Sequence, residues 1–341
     1  MRGPPNSWEK QMSDQFKCLA AAGSAALIVA CLSGARAADK KYDIVTVVKI
    51  DGIQWFDRME EGVRKFAADT GNNAYQLGPD KGDAQLQVQL IEEAIAKKVD
   101  AIAVVPFSPE ALEPVLKKAM AAGIKVVSHE AATIQNVDLD IEAFRNAGLG
   151  EHYMKTLGEC MGGKGEYAVF VASPASTTHN QWVDAAIAYQ QANFPDMKLV
   201  GSKNETADDL QQAYEKTEEL LRAYPNLRGF QGSGSTDVAG IGKAIEAHGK
   251  NDETCVVGTS LPSIAGRYLD SGAVDMISFW DPALAGYAVN KLAVMLLDGK
   301  QPTDGMDLGL PGYEKVSFDG KVIRGQAWVD VTRANAKDYP F

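Results

Sequence analysis

The chain has 341 residues, with 34 Lys and Arg against 45 Asp and Glu and a formal net charge of −11. A surface this acidic repels phosphate backbones and anionic lipid headgroups, which excludes nucleic acid and the membrane surface as partners. Length alone predicts two domains of about 150 residues each.

Lys17 leads into the apolar run Leu19 to Leu32 and then into Ala35-Arg36-Ala37. A basic start, a short apolar core and small residues at −3 and −1 spell a secretory signal peptide, with cleavage expected between Ala37 and Ala38. The run falls short of the roughly 20 apolar residues a membrane-spanning helix needs. Removing residues 1–37 takes away four basic and two acidic side chains and leaves 304 residues with net charge −13. Only Cys160 and Cys255 survive cleavage. An exported compartment permits them to pair. Their spacing does not decide it, and the plainer reading is two buried free thiols at a helix and a strand position.

From Tyr42 onward, β-branched runs alternate with amphipathic stretches. Ile44 to Ile50, Ala74 to Leu77, Ala101 to Val105 and Lys125 to Ser128 read as strands buried on both faces. Between them Asp57 to Thr70, Ala84 to Lys97 and Pro109 to Ala122 carry apolar residues at helical spacing. Asp83 and Ser108 are the expected N-caps, Pro109 the first helical residue, and Gly71 and Gly123 the C-terminal stops. The pattern restarts after Gly162-Gly163. Strands are expected at Tyr167 to Ala172, Lys198 to Gly201, Gly229 to Gln231, Cys255 to Gly258 and Val274 to Phe279, with helices at Gln181 to Asn193, Asp208 to Ala223, Val238 to His248 and Ser263 to Ser271. Pro282 to Leu297 reads as one more helix and Lys315 to Val331 as a pair of short strands. This alternation predicts two α/β, doubly wound, Rossmann-like domains built on parallel sheets.

The chemical motifs are mostly negative. Gly158-x-x-x-x-Gly163-Lys164-Gly165 resembles a phosphate-binding loop, but Gly165 replaces the Ser or Thr that holds magnesium, and the run opens a strand instead of a helix. A helix stop and turn fits it better. The first strand is followed by Lys49-Ile50-Asp51-Gly52, without the glycine spacing of a dinucleotide site. His129, His152, His179 and His248 show no metal-ligand spacing, no nucleophile elbow occurs, and no cofactor is implied. An exported sugar-modifying enzyme using His129, Glu130 and His179 is the rival reading. An effector-sensing domain of a transcription regulator would need an N-terminal helix-turn-helix where the signal peptide stands.

Open α/β sheets bind ligands at the carboxyl ends of their strands. Lys49, Glu130, Thr178, His179, Ser233, Ser235 and Asp281 all fall there, beside Trp55, Phe56 and Trp280. Directed polar groups interleaved with flat apolar faces suit a sugar or polyol, with hydroxyls on its edge and C–H groups on its faces. Each residue also has a plainer reading: core aromatics for Trp55 and Trp280, a surface-snorkelling Lys49, ion-pair partners for Glu130 and Asp281, and loop polar groups for Thr178 and His179.

From Tyr42 to the C-terminus the chain resembles the type I periplasmic sugar-binding proteins of ABC transporters, nearest their rhamnose-binding and autoinducer-2-binding branch. The resemblance rests on Val47-Val48-Lys49 with Trp55-Phe56, Asp100 to Val104, Leu116 to Met120, Gly123 to Val126, Asn180-Gln181-Trp182, Ala223 to Leu227, Leu261-Pro262, Phe279 to Pro282, and Gly286-Tyr287. It implies a ligand held between two domains by Lys49, Glu130, Thr178, His179, Asn180, Ser233, Ser235 and Asp281, with Trp55, Phe56 and Trp280 covering its faces. The autoinducer branch has aspartate at Glu130, aspartate-glutamine at Thr178-His179, and proline and alanine at Ser233 and Ser235. Losing one carboxylate removes a charge-assisted acceptor worth roughly 1.5–3 kcal/mol, which favours a different small monosaccharide or sugar alcohol over autoinducer-2.

The resemblance further implies a monomer in the periplasm that is not an enzyme and delivers its sugar to an inner-membrane ABC transporter permease. A sensor kinase in the permease's place is a further alternative. Expected boundaries are 1–37 for the signal peptide, 38–145 plus 279–304 for one domain, and 146–278 plus 305–341 for the other. Three hinge segments are expected near 144–148, 277–280 and 303–310.

Overall fold

The computed structural model describes residues 40–341, and the signal peptide and its cleavage site lie outside the described residues. Two sheets with flanking helices make up one compact unit from Lys41 onward. The first half runs β1 (Asp43–Val47), α1 (Gln54–Thr70), β2 (Asn73–Leu77), α2 (Ala84–Lys97), β3 (Ala101–Val104), α3 (Pro109–Ala121), β4 (Lys125–His129) and β5 (Leu139–Glu142). The chain then passes into α4 (Asn146–Cys160), β6 (Lys164–Val171), α5 (Thr177–Asn193), β7 (Asp196–Glu205), α6 (Leu210–Ala223), β8 (Leu227–Gly232), α7 (Asp237–Ala247), β9 (Cys255–Thr259), α8 (Pro262–Ser271) and β10 (Met276–Phe279). It returns with α9 (Pro282–Leu297), β11 (Ser317–Asp319) and β12 (Val322–Arg324), and ends on β13 (Val329–Val331) and a short 3₁₀ turn.

Local chemistry sets these boundaries. The Asp83 carboxylate accepts from the backbone N–H groups of Gln85 and Leu86 to start α2, whose buried residues Gln87, Ile91 and Ala94 repeat at helical spacing. Ser108 caps α3 in the same way, with Pro109 at its first position. Gly71 closes α1 in the left-handed conformation, φ 69°. The run Gly158 to Gly165 is a helix end and turn that opens β6, with Gly162 and Gly163 both at positive φ.

The strand order is β11-β12-β5-β4-β3-β1-β2 in the first sheet and β13-β10-β9-β8-β6-β7 in the second. Both are parallel except for the antiparallel edge strands β11 and β13. Each sheet reverses direction beside its first strand, β1 or β6, the switch point where doubly wound folds open a crevice.

Three segments cross between the sheets: 143–145 after β5, 280–281 after β10, and 325–328 after β12. The expected third crossing at 303–310, and with it the assignment of 305–341 to the second lobe, is corrected here. Val322–Arg324 pairs in parallel with Asp140–Glu142, so 305–324 stays with the first sheet and only β13 joins the second. The region holds three short strands instead of two. The first and third crossings are tied by backbone bonds from Gly325 N–H to Glu142 O and from Ala327 N–H to Ala143 O, at 2.9 and 3.0 Å. Each crossing also supplies one aromatic ring. Phe144 packs edge-on against Trp280 and Trp328, with centroids 5.2 and 5.4 Å away.

Cys160 and Cys255 form a disulfide, S–S 2.03 Å, which overturns the reading of two free thiols. It ties the end of α4 to the start of β9, at the opposite end of the second sheet from the cleft described below. Helices α1 and α9 meet backbone to backbone, because a Cβ on Gly62 would lie 1.8 Å from Ala283 O and one on Gly286 2.6 Å from Met59 O. That close approach brings Trp55 and Phe56, in the first turn of α1, up to Trp280 just before α9.

Candidate functional site

The carboxyl ends of the two sheets face each other across a narrow cleft. At its base Lys49, two residues beyond β1, lies 3.4 Å from Glu130 Oε2 and 3.4 Å from Asp208 Oδ2. Glu130 follows β4 in the first lobe and Asp208 follows β7 in the second, so one buried ammonium joins the two lobes. Burial opposes the charge on Lys49, but the carboxylates of Asp208 and Glu130 outweigh it and push the ammonium up to about 12.

The backbone is bent to make this contact. Four non-glycine residues have left-handed φ among the described residues, and three of them are Glu130 (58°), Ala207 (53°) and Asp208 (57°). Each such residue costs on the order of 1–3 kcal/mol and persists only where its surroundings over-determine it. Here Thr178 Oγ1 donates to Glu130 O at 2.7 Å, and the Ala207 and Thr206 amides continue the strand bonding of β6.

Aromatic faces form the walls. Trp55 meets Trp280 edge-on at 4.8 Å, Trp182 meets Trp280 at 5.9 Å, and the Phe56 ring lies 5.9 Å from Lys49 Nζ. Two of the three indoles are oriented by hydrogen bonds, Trp280 Nε1 donating to His129 Nε2 (3.0 Å) and Trp182 Nε1 to Asn146 Oδ1 (2.9 Å). His129 in turn donates from Nδ1 to Ile141 O at 2.5 Å, which occupies both of its ring nitrogens. His179 stacks on Trp182 and accepts the Ala172 N–H at Nδ1, leaving its proton on Nε2 as a donor. Burial and then the charge of Lys49 push this imidazole down to about 4, so it stays neutral.

On the second lobe the loop after β8 is held by Asp237, which accepts from Ser233 N–H, Gly234 N–H and Thr206 Oγ1. Burial, followed by the charge of Asp208, pushes the Asp237 carboxyl up to about 7. The loop presents Ser233 and Ser235 to the cleft. Ser233 Oγ and Asp208 Oδ1 are buried without a hydrogen-bond partner, and Asp208 Oδ2 has only the long contact to Lys49. Buried polar atoms are ordinarily paired, so these are the atoms a guest would satisfy.

Of the expected site residues, Lys49, Trp55, Phe56, Glu130, His179, Ser233, Ser235 and Trp280 line the cleft. Thr178, Asn180 and Asp281 do not. Thr178 spends its hydroxyl on the Glu130 carbonyl, and Asn180 donates to the carbonyls of Ser173 and Ser176 while accepting from Lys203. Asp281 caps α9 through Ala283 N–H and forms a two-pronged pair with Arg58, at 2.9 and 2.7 Å. The structure adds Asp208, Ile53, Trp182 and Thr259 to the lining. Asp209 makes the cap of α6, which leaves the Asp208 side chain to the cleft.

Residues 44–301 match the family described as periplasmic binding protein domain. The chain is 24% identical over 234 residues to the D-ribose/D-allose-binding protein of Pseudomonas aeruginosa, an alignment covering 64% of this chain and 70% of that one. It is 31% identical over 211 residues to the D-apiose import binding protein of Paraburkholderia graminis, covering 57% and 64%. Among solved structures it overlays, with TM-score 0.82 and 22% identity, on an ABC transporter solute-binding protein from Clostridium phytofermentas with bound L-rhamnose, covering 88% of this chain and 98% of that one.

Proposed function

This chain belongs to the periplasmic binding protein family, and from that premise we propose that it is the solute-binding protein of an ABC transporter, capturing one small monosaccharide or sugar alcohol between its two lobes. The observation that carries this reading is the buried Lys49, Glu130 and Asp208 cluster walled by Trp55, Trp182 and Trp280. Carboxylates accept from sugar hydroxyls, the ammonium and the His179 Nε2–H donate, and indole faces cover C–H surfaces. Glu130 and Asp208 come from opposite lobes, so a guest that bonds both holds the lobes together. Binding without turnover is the family's activity. His129, bonded to Ile141 O and Trp280 Nε1–H, and His179, bonded to Ala172 N–H, are held as fixed polar groups, which suits a binding surface better than the rival enzyme reading.

Delivery to an inner-membrane permease, from the periplasm and as a monomer, is inferred from the family. Lys49, Trp55-Phe56 and the Phe279 to Pro282 run support the rhamnose-binding and autoinducer-2-binding branch, while Thr178-His179, Ser233 and Ser235 speak against autoinducer-2 as the guest. A thermal-shift screen over pentoses, hexoses, 6-deoxyhexoses and polyols tests the reading. A bound sugar at a hundredfold excess over its dissociation constant adds about 2.7 kcal/mol of stability. No shift from any of them, or conversion of a sugar during incubation, would overturn it.

A further inference from the structure

We infer that Asp208 is the charge filter of the cleft: it gives the site one carboxylate more than its ammonium can match, so neutral and protonated amino sugars enter and sugar acids are refused. The inference deepens the sugar-binding reading and rests on it. Among the described residues lining the cleft, Lys49 is the sole Lys or Arg, and it already faces two carboxylates. His179 cannot add positive charge, because its Nδ1 is occupied as an acceptor from Ala172. The nearby Arg58 is held by Asp281 and Glu61.

The start of α6 does not need the charge on Asp208. The cap of α6 is made by Asp209, whose side chain accepts from Gln212 N–H. Even so, the carboxylate is given room. A Cβ on Gly234 would lie 2.4 Å from Asp208 Oδ1, so the loop after β8 carries glycine where any side chain would displace it. Behind it stands a second buried acid, Asp237, which adds to the negative field. Asp208 Oδ1 has no hydrogen-bond partner and Oδ2 has only the Lys49 ammonium, at 3.4 Å, so both can take further donors and nothing else. A hydroxyl or an ammonium brings donors, whereas a carboxylate brings acceptors and like charge.

The test compares the wild type with Asp208→Asn by isothermal titration at pH 7.5. Asparagine keeps the shape and tolerates the left-handed backbone. The probes are the neutral sugar with the largest thermal shift in the screen above, then D-galactosamine, D-glucosamine and D-mannosamine, then D-galacturonate, D-glucuronate and D-mannuronate. In the wild type every acid should bind at least a hundredfold more weakly than the neutral sugar, and Asp208→Asn should shrink that ratio at least tenfold. An acid bound by the wild type within tenfold of the neutral sugar overturns the filter, as does an unchanged ratio in the variant. Silence from every neutral sugar is a different failure, that of the sugar reading itself. Carboxyl NMR of Asp237 reads the field without any guest: its titration midpoint should fall in Asp208→Asn, and an unmoved midpoint also counts against the inference.

Discussion

Replacing Lys49 with methionine keeps most of the side-chain volume and removes the one charge that makes the cleft base tolerable. Each ion pair, at 3.4 Å, is worth roughly 5 kcal/mol of Coulomb attraction at an effective dielectric of about 20, much of which offsets desolvation. Removing one partner of a buried pair leaves an uncompensated charge and costs about 3–5 kcal/mol. At roughly 2 °C per kcal/mol for a chain of this size, the melting temperature of Lys49→Met should drop by about 6–10 °C. Adding Asp208→Asn to Lys49→Met should recover part of the loss, because one of the two stranded carboxylates is then neutral. Differential scanning calorimetry of the three proteins measures both effects. A Lys49→Met protein that melts within 2 °C of the wild type, or a double variant no more stable than Lys49→Met, would refute the reasoning.

Reducing the Cys160–Cys255 bond, which spans a sequence separation of 95 residues, should cost about 2–5 kcal/mol while leaving sugar affinity within threefold, since it lies at the far end of the sheet from the cleft. Calorimetry and titration with and without reductant check both halves. Asp237→Asn should gain stability relative to the wild type as pH rises toward and through about 7. The wild-type carboxyl has its folded pKa raised above the unfolded value, and the stability this contributes at low pH is lost over that interval. A melting-temperature difference that stays constant from pH 5 to pH 8 would contradict it. Asp281→Ala should cost about 1–3 kcal/mol through the α9 cap and the Arg58 pair, with sugar affinity changed only a few-fold. A hundredfold loss of affinity would put Asp281 back in the binding surface.

Most of the fold is legible because its strands are short apolar runs and its helices carry their own caps, as at Asp83, Ser108-Pro109 and Gly71. β5 escapes that reading. Leu139-Asp140-Ile141-Glu142 alternates acids with aliphatics, which resembles a half-exposed edge, yet all four residues are buried and Asp140 accepts from Ser128 Oγ at 2.7 Å. The third crossing escapes it because β12 is placed by pairing with β5, almost two hundred residues earlier, and local pattern is silent about such distant partners. In the cleft, strand-end position identifies Lys49, Glu130, His179, Ser233 and Ser235. It misleads at Asp281, where an aspartate followed by proline is the ordinary opening of a helix. It misses Asp208 because the left-handed turn at Ala207 and Asp208 depends on the packing of the loop, and sequence periodicity suggests only that a helix begins there.

The most direct measurement is a crystal structure of the protein grown with the sugar that gives the largest thermal shift. The expected result is one sugar molecule between the lobes, chemically unaltered, with hydroxyls bonded to Glu130 and Asp208 and its C–H faces on Trp55, Trp182 or Trp280. A sugar bound elsewhere, or held in the cleft without contact to either carboxylate, would contradict it.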